Sequence, residues 1–321
     1  MAALTTLRYH TFWRETGDAP VFSQGGMVRV YAVLMLLAAS AYGLVSPILR
    51  LAYGAGLSAA ATTDGQYAVA AVVLWIFALF RHKGKHINRV QWLLIVAIGL
   101  MNALFSYAYY RALTVLPASL GVVFMFQFVW MTMFIDILVK RQFPGRWKWI
   151  GLGLILIGTY LAVGASPGAW RAMPLWAVGL GMVSALAYAI SLYISGYNDP
   201  GVSPQLRAAL VITAAWIAVS IPFPPNLLWH SFRLHPLPTL YWGFWIALLS
   251  QILPTLLSLI AIPHIGGRMA GVLGTMELPV AVFGAWLINR DVVGPLRWFG
   301  VVMILGGIVV SEAVGRKGES L

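Results

Sequence analysis

Cysteine is absent from the 321 residues of this chain, which excludes disulfides, thiolate nucleophiles and cysteine-ligated metals. The six histidines all fall in or beside segments that connect apolar runs, and no H-E-x-x-H spacing occurs. No Walker-type glycine loop is present, which excludes direct use of ATP by this chain. We therefore expect no cofactor, no metal and no enzymatic activity, with a membrane enzyme built on a lone carboxylate as the remaining enzymatic alternative.

Charged residues are scarce as well, at 9% of the chain, against about one quarter in soluble globular proteins. Hydrophobic residues make up 60%, so most of the chain must lie in lipid. The net charge of +12 does not indicate a nucleic-acid partner, because the basic residues cluster in short segments between long apolar runs. The first 28 residues contain charges and no apolar core, which does not fit a cleavable signal peptide. We expect the first apolar run to direct membrane insertion.

Ten apolar runs are long enough to cross a bilayer, which takes about 20 residues. Their continuous apolar character predicts helices rather than alternating strands. The predicted spans are residues 30–49, 58–80, 90–113, 117–139, 147–165, 174–194, 205–221, 240–262, 269–288 and 295–314. The predicted fold is therefore an all-α integral membrane protein of ten helices, with tails at 1–28 and 315–321.

The basic residues orient the predicted spans. The dense clusters are "RHKGKHINR" (81–89) and "KRQFPGRWK" (140–148), and they fall on the same side of the membrane as both termini. That side holds 15 of the 21 Lys and Arg residues, and the other side holds 6. The positive-inside rule therefore predicts cytoplasmic termini in an inner, or plasma, membrane.

The sequence partly overlays itself when it is shifted by 149 residues. The segment "WIGLGLILIG" (149–158) then falls on "WFGVVMILGG" (298–307), and Asn102 falls on Gln251. A slightly different offset of 146 relates Tyr42 to Tyr188. These matches predict two five-helix repeats, at 29–165 and 174–314, joined by 166–173. Because five is odd, the second repeat enters the membrane from the opposite side, as in many secondary transporters.

The doubled five-helix layout and the segment "LPVAVFGAWLINRDVVGPLRWFGVVMILGGIVV" (278–310) resemble the drug/metabolite transporter superfamily, in its ten-helix EamA type. Tyr42-Gly43 and Tyr188 lie where an aromatic-glycine pair is usual in that family. The chain departs from the family pattern at "LVKRQ" (138–142) and "INRD" (288–291), where Gly-Glu is frequent. The resemblance implies export of a small metabolite or drug, bound in a central cavity between the halves.

Only one acidic residue inside the predicted spans lies at mid-depth, and this is Glu277; Asp64, Asp136 and Glu312 lie near span ends. No Lys or Arg is predicted at that depth, so Glu277 has no predicted counter-ion. It is suited either to coupling transport to protons or to binding a cationic group of the substrate. The structural alternative is a protonated side chain bonded to a neighbouring helix, or to the Thr275 carbonyl that Pro279 leaves without a donor.

Polar residues at helical spacing mark two predicted spans. Asn102, Ser106 and Tyr110 share one face of the third span, and Gln251 and Thr255 repeat that geometry in the eighth. Lipid would penalise such stripes, so we expect them to face inward. They either line a cavity or bond neighbouring helices.

Three further residues are candidates for the cavity wall. Gln127 lies midway along the fourth span and falls one residue out of register with Glu277 in the repeat, so we predict a neutral counterpart there. Tyr42 and Tyr188 lie deep in their spans and suit a planar or cationic ligand. Core packing is the alternative for each aromatic residue.

Charged residues near the outer ends of the spans are candidate gates. Arg50 and Asp64 flank the first outer loop and are predicted to pair there, either as a gate or as a simple interfacial ion pair, and Arg111 has the same ambiguity. The proline-rich segment 222–240 is predicted to be a connecting loop, with a cap over the outer vestibule as the alternative.

Glycines punctuate the fifth and tenth spans and permit close helix packing, within the chain or in a homodimer. They are Gly151, Gly153, Gly158, Gly300, Gly306 and Gly307.

Together these features predict an exporter of small metabolites, such as amino acids or drugs, that works by alternating access and is coupled to protons. The expected partners are a small-molecule substrate, the lipid bilayer and protons. An uncoupled facilitator or channel is the alternative, because it would share the fold and the polar interior.

Overall fold

The computed structural model describes residues 25–81, 87–141, 145–163, 173–195 and 202–310. All regular structure in these ranges is helical, which agrees with the predicted all-α class. The predicted tails at 1–28 and 315–321 and the connecting segment 166–173 lie wholly or largely outside these ranges, as does Glu312.

The described helices overlap the predicted spans but do not match them one for one: two helices fill the fourth span, and one helical segment, Leu253–Gly274, joins the eighth to the ninth. In the first half, α1 to α6 are Gly25–Gly54, Ala59–Arg81, Arg89–Ala112, Ala118–Met125, Phe128–Lys140 and Arg146–Val163. In the second half, α7 to α13 are Leu175–Ser195, Pro204–Val219, Pro225–Leu234, Pro236–Ala247, Leu253–Gly274, Glu277–Ile288 and Pro295–Val309, with a π-helical turn at Leu248–Ile252. Within the described residues, six helical stretches are long and apolar enough to cross a membrane, and α8, α12 and α13 are shorter apolar helices.

Local sequence signals set several helix starts. The Asn88 side chain accepts a hydrogen bond of 2.8 Å from Gln91 N at the start of α3. At the start of α8, Ser203 Oγ accepts from Leu206 N, and Pro204 occupies the first helical position. Such caps satisfy backbone donors that the first helical turn leaves unpaired.

The prediction of a loop at 222–240 is wrong, because most of this segment is helical. Its prolines start helices instead of preventing them: Pro225 opens α9 and Pro236 opens α10. Proline is tolerated at that position because its missing N–H would have no helical partner there.

The long helical segment α11 cannot be straight. Ser258 Oγ lies 3.8 Å from Met35 Sδ, and a methyl group built on Gly274 would lie 3.9 Å from Met35 Cε. A straight helix would separate two residues 16 positions apart by about 24 Å. The chain therefore doubles back within α11, between the eighth and ninth predicted spans.

The helix contacts come in corresponding pairs. The first helix of the chain, α1, packs along α11 and α12, and the first helix of the second half, α7, packs along α3 and the α4–α5 pair. The remaining large contacts join α2 to α8, α3 to α8, α2 to α10 and α6 to α13. Each of these large contacts therefore has a counterpart when the two halves are exchanged.

The contact between α6 and α13 is backbone to backbone. A methyl group on Gly158 would lie 2.7 Å from the carbonyl oxygen of Gly300, and one on Gly307 would lie 2.7 Å from that of Gly151. The C-terminal part of α6 therefore contacts the N-terminal part of α13, and the N-terminal part of α6 contacts the C-terminal part of α13. The two helices are antiparallel. Because Gly151 and Gly158 fall on Gly300 and Gly307 under the shift of 149, the contact is reciprocal.

Candidate functional site

A polar cavity of about 80 Å³ is lined by residues from both halves of the chain. Its walls come from α1, α2, α3 and α4, and from α7, the π-helical turn and α12. The structure brings seven of the predicted site residues together here: Glu277, Asn102, Ser106, Tyr110, Gln251, Tyr42 and Tyr188. Gln127 and Thr255 do not line this cavity.

A larger groove, of about 350 Å³, lies elsewhere, between α2, α3 and α8. Its lining is apolar apart from the indole nitrogens of Trp75 and Trp92, and Trp75 Nε1 donates to Thr213 Oγ1 at 2.9 Å. The groove offers no charge or amide to recognise a polar solute. The small polar cavity is therefore the better candidate site.

The fourth predicted span is a broken helix. Phe126 and Gln127 separate α4 from α5, and the backbone there makes tighter i→i−3 bonds. Gln127 N donates to Phe124 O at 3.1 Å, and Val129 N donates to Phe126 O at 3.3 Å.

An equivalent break separates α11 from α12 at Thr275 and Met276. Met276 N donates to Leu273 O at 3.2 Å, and Leu278 N donates to Thr275 O at 3.2 Å. Each donor and each acceptor in this break lies 149 residues after the corresponding donor or acceptor in the first break. The Thr275 carbonyl, predicted to lack a donor, accepts from Leu278 instead.

Glu277 is the first residue of α12 and lines the cavity. Within the described ranges, its carboxylate has no hydrogen bond or ion pair with another residue. Tyr42, Tyr109 and Tyr188 line the same cavity as Glu277. The helix N-terminus favours a negative charge at this position, so the carboxylate is stabilised by a dipole but not by a cation.

Gln127 is bonded within its own half and is not a wall residue. Its Nε2 donates to Val123 O at 3.0 Å and to Thr159 Oγ1 at 2.8 Å, and its Oε1 accepts from Trp130 Nε1 at 2.9 Å. The side chain is 3% exposed. Because these bonds join α4 and α5 to α6, Gln127 serves the packing of the broken helix.

Of the two predicted polar stripes, only the first lies entirely in the cavity wall. Asn102, Ser106 and Tyr110 all line the cavity, because α3 is a regular helix that keeps them on one face. In the second half, Gln251 lines the cavity but Thr255 does not. The π-helical turn at Leu248–Ile252 adds a residue to one turn and so rotates the residues that follow.

The hydrogen-bond network that joins Gln66 and Tyr67 of α2 to the cavity wall was not predicted. Tyr110 Oη and Ser250 Oγ both donate to Gln66 Oε1, and Tyr67 Oη donates to Asn102 O and shares a hydrogen bond of 2.7 Å with Ser106. The signal was available in α2, where "TTDGQY" (62–67) is a polar run inside an apolar helix.

The charged residues predicted as gates have separate partners. Arg50 Nη1 donates to the carbonyls of Leu113 and Leu116, at 3.3 and 2.8 Å. Asp64 is 1% exposed, and its Oδ1 accepts from Trp216 Nε1 at 2.7 Å. Arg50 and Asp64 are therefore not paired with each other in this structure.

Further bonds join the same end of the bundle, which we call the Arg50 end. Tyr53 Oη donates to Tyr110 O at 2.8 Å, and Asn289 Nδ2 donates to Pro47 O at 3.1 Å. These bonds tie α1 to α3 and to the residue that follows α12. Arg111 lies at this end and is exposed.

Asp291 caps the short helix α4. Its Oδ2 accepts from Ser119 N at 3.3 Å and from Ser119 Oγ at 3.0 Å. A carboxylate is favourable at a helix N-terminus, and this one lies outside the cavity lining.

Comparison with known proteins gives a match to one family model over the first half of the chain, and a similar fold. The model of the EamA-like transporter family matches residues 29–164, which is consistent with the drug/metabolite transporter superfamily and confirms the resemblance found in the sequence. No curated protein gives a significant match. A total of 24 chains of solved structures match. One, described only as "Crystal structure of protein", is 15% identical over 91% of this chain and 99% of its own, with a TM-score of 0.50; at that identity the likeness shows the fold alone.

The family match and the apolar helices together support an integral, multi-pass membrane protein that transports small solutes.

Proposed function

We propose that this EamA-like chain is a secondary transporter that exports a small metabolite by alternating access, with Glu277 coupling transport to protons. The observation that carries the proposal is the Glu277 carboxylate, which faces a cavity shared by both halves and has no partner among the described residues. A charge at mid-membrane depth is costly and typically marks a substrate or proton pathway. A carboxyl group that alternately holds a proton and a substrate would link the two movements.

The proposed architecture is ten spans in two inverted five-helix repeats. Support comes from three features that share the offset of 149: the helix breaks at 126–127 and 275–276, the bonds within those breaks, and the reciprocal glycine contact of α6 with α13. Antiparallel packing of equivalent helices is what opposite orientations of two repeats require. Transporter sites are typically formed by broken helices at such a repeat interface.

We propose a plasma, or inner, membrane location with cytoplasmic termini, because 15 of the 21 Lys and Arg residues then lie inside. In this orientation the Arg50 end faces outward. The bonds of Arg50, Tyr53 and Asn289 hold that end together. They would have to break for the cavity to open outward, so they form the proposed outer gate.

An uncoupled facilitator would use the same cavity and is the second candidate. A coupled carrier moves its solute against a gradient, whereas a facilitator only equilibrates it. The two functions therefore differ in whether dissipation of the pH gradient stops accumulation.

The test begins in cells that lack the protein, overproduce it, or overproduce Glu277→Gln, with solutes measured in cells and medium. We expect the wild type to enrich at least one solute in the medium, Glu277→Gln to fail, and Asp291→Asn to behave as wild type. That solute is then offered to inverted membrane vesicles with and without an imposed pH gradient. Accumulation that survives collapse of the gradient would contradict coupling, and unchanged export by Glu277→Gln would contradict the role of the carboxylate.

A further inference from the structure

We infer that the cavity takes a small organic cation, an amine without a carboxylate of its own. This inference rests on the proposed function, because it names the substrate class of that same site. It differs from the expectation of amino-acid export, and the difference follows from the charge, the aromatic lining and the size of the cavity.

The cavity carries one charged group and no cation. Glu277 lines it, and no Lys, Arg or His is found among its described lining residues. Arg50, which lies at one end of the bundle, is engaged by the carbonyls of Leu113 and Leu116. An amine would therefore neutralise the buried carboxylate, whereas a solute with its own carboxylate would bring a second negative charge beside Glu277 with no cation to balance either.

Aromatic rings form much of the wall around Glu277. Five tyrosines and one phenylalanine line the cavity: Tyr42, Tyr67, Tyr109, Tyr110, Tyr188 and Phe105. Phe105 packs against Tyr109 and Tyr188 with ring centroids 5.5 and 5.3 Å apart, which fixes their positions. Ring faces attract a cation, and a carboxylate within an aromatic wall is the arrangement that recognises alkylammonium groups.

Two unbonded hydroxyl groups in the wall are suited to the N–H donors of an amine. The hydroxyls of Tyr67 and Tyr110 are already bonded, to Ser106 and Gln66. In the described part of the chain, the hydroxyls of Tyr42 and Tyr188 have no hydrogen-bond partner. Their oxygens, together with the Glu277 carboxylate, are acceptors that an ammonium group would satisfy.

The size of the cavity limits the ligand. At about 80 Å³ it is well below the roughly 300–1,000 Å³ of sites that enclose drug-sized molecules. In this conformation it admits only a compact head group, such as a primary or methylated ammonium with a short aliphatic chain.

Thermal unfolding of the purified chain tests the inference with matched probes: isobutylamine, tetramethylammonium, the amino acid valine, and neutral isobutanol. We expect a saturable rise in Tm with the two cations and none with valine or isobutanol. In Glu277→Gln, the cation concentration for half-maximal shift should rise by about 30-fold or more, because a buried ion pair loses one partner. Asp291→Asn should respond as wild type.

A second variant pair keeps the test valid if Glu277→Gln does not fold. Tyr188→Phe keeps the ring but loses one acceptor and should weaken cation binding by only about threefold. Tyr188→Leu also loses the ring and should weaken it by about tenfold or more. A Tm shift from valine or isobutanol without one from the cations, or no shift from any probe, overturns the inference. Cation binding without transport in vesicles would instead overturn the proposed function and leave the assignment of the site standing.

Discussion

The two broken helices of this chain have the same backbone geometry at the break but carry different side chains there. The breaks at 126–127 and 275–276 occupy equivalent positions and make equivalent hydrogen bonds. Glu277 corresponds to Phe128, whose ring packs edge-on against Tyr188 with centroids 4.8 Å apart. At the first break an aromatic ring therefore packs against Tyr188, whereas at the second break the Glu277 carboxylate faces the cavity. In the proposed mechanism, two breaks with the same backbone geometry would let the halves exchange conformations, and proton coupling would be confined to the half that carries Glu277.

Substitution of Gly43 should have the largest effect on transport, because α1 contacts the backbone of α12 just after the second break. A methyl group on Gly43 would lie 2.6 Å from the Glu277 carbonyl oxygen and 2.9 Å from Val280 Cβ. Gly43→Ala must therefore displace the start of α12, and we expect transport to fall by about tenfold or more, from overpacking beside the site. The measurement is vesicle transport of the solute identified in cells, at matched protein levels.

The control for that change is Gly179→Ala in α7, where a methyl group would have no neighbour within 4 Å. It should transport as wild type. Equal activity of the two variants would show that the position of Glu277 does not limit transport.

Substitution of Gln127 sharpens the contrast between the breaks. Gln127→Leu removes three hydrogen bonds from a buried position and should lower the free energy of unfolding by about 3 kcal/mol, because its partners lose their bonds. The pH dependence of the remaining transport should match wild type, since Gln127 does not line the cavity. Chemical denaturation and vesicle transport at several pH values measure the two effects. A changed pH profile would mean that both breaks carry coupling chemistry.

Substitution of Gly300 tests the contact that relates the halves and should have the smallest effect. A methyl group there would lie 2.5 Å from both Gly158 O and Ala162 N, so Gly300→Ala should cost about 1–3 kcal/mol through overpacking. The paired control is Gly306→Ala on the same helix, where nothing lies within 4 Å. Thermal unfolding of both variants is the readout, and an equal loss in the two would reject backbone contact as the reason for the glycines.

The sequence predicted the all-helical class because its signal is local. Long apolar runs specify spans, and the regular helix α3 carried Asn102, Ser106 and Tyr110 to one face as its spacing indicated. The break at 126–127 was not predictable, because "MFQF" (125–128) contains neither glycine nor proline to mark one. The break there depends on tertiary packing and on bonds such as that of Gln127 with Thr159.

Other differences have equally specific causes. Pro254 lacks the N–H that would bond the carbonyl of Ser250, and the π-helical turn just before it moves Thr255 away from the cavity. The partners of Arg50 are backbone carbonyls of residues more than 60 positions away, which no charge pattern reveals. Glu277, in contrast, was identifiable from the sequence because a carboxylate at mid-depth is rare in any membrane span.

The most direct test of alternating access uses the natural absence of cysteine. Gln251→Cys places a single thiol in the cavity wall, and Val302→Cys places one on the exposed surface of α13 at 61% exposure. A membrane-impermeant maleimide is applied to right-side-out and to inverted vesicles, with and without the exported solute. We predict labelling of the cavity thiol from both faces, slowed by the solute, and no labelling at position 302. Labelling of position 251 from one face only under every condition, or from neither, would contradict a cavity that opens to both sides of the membrane.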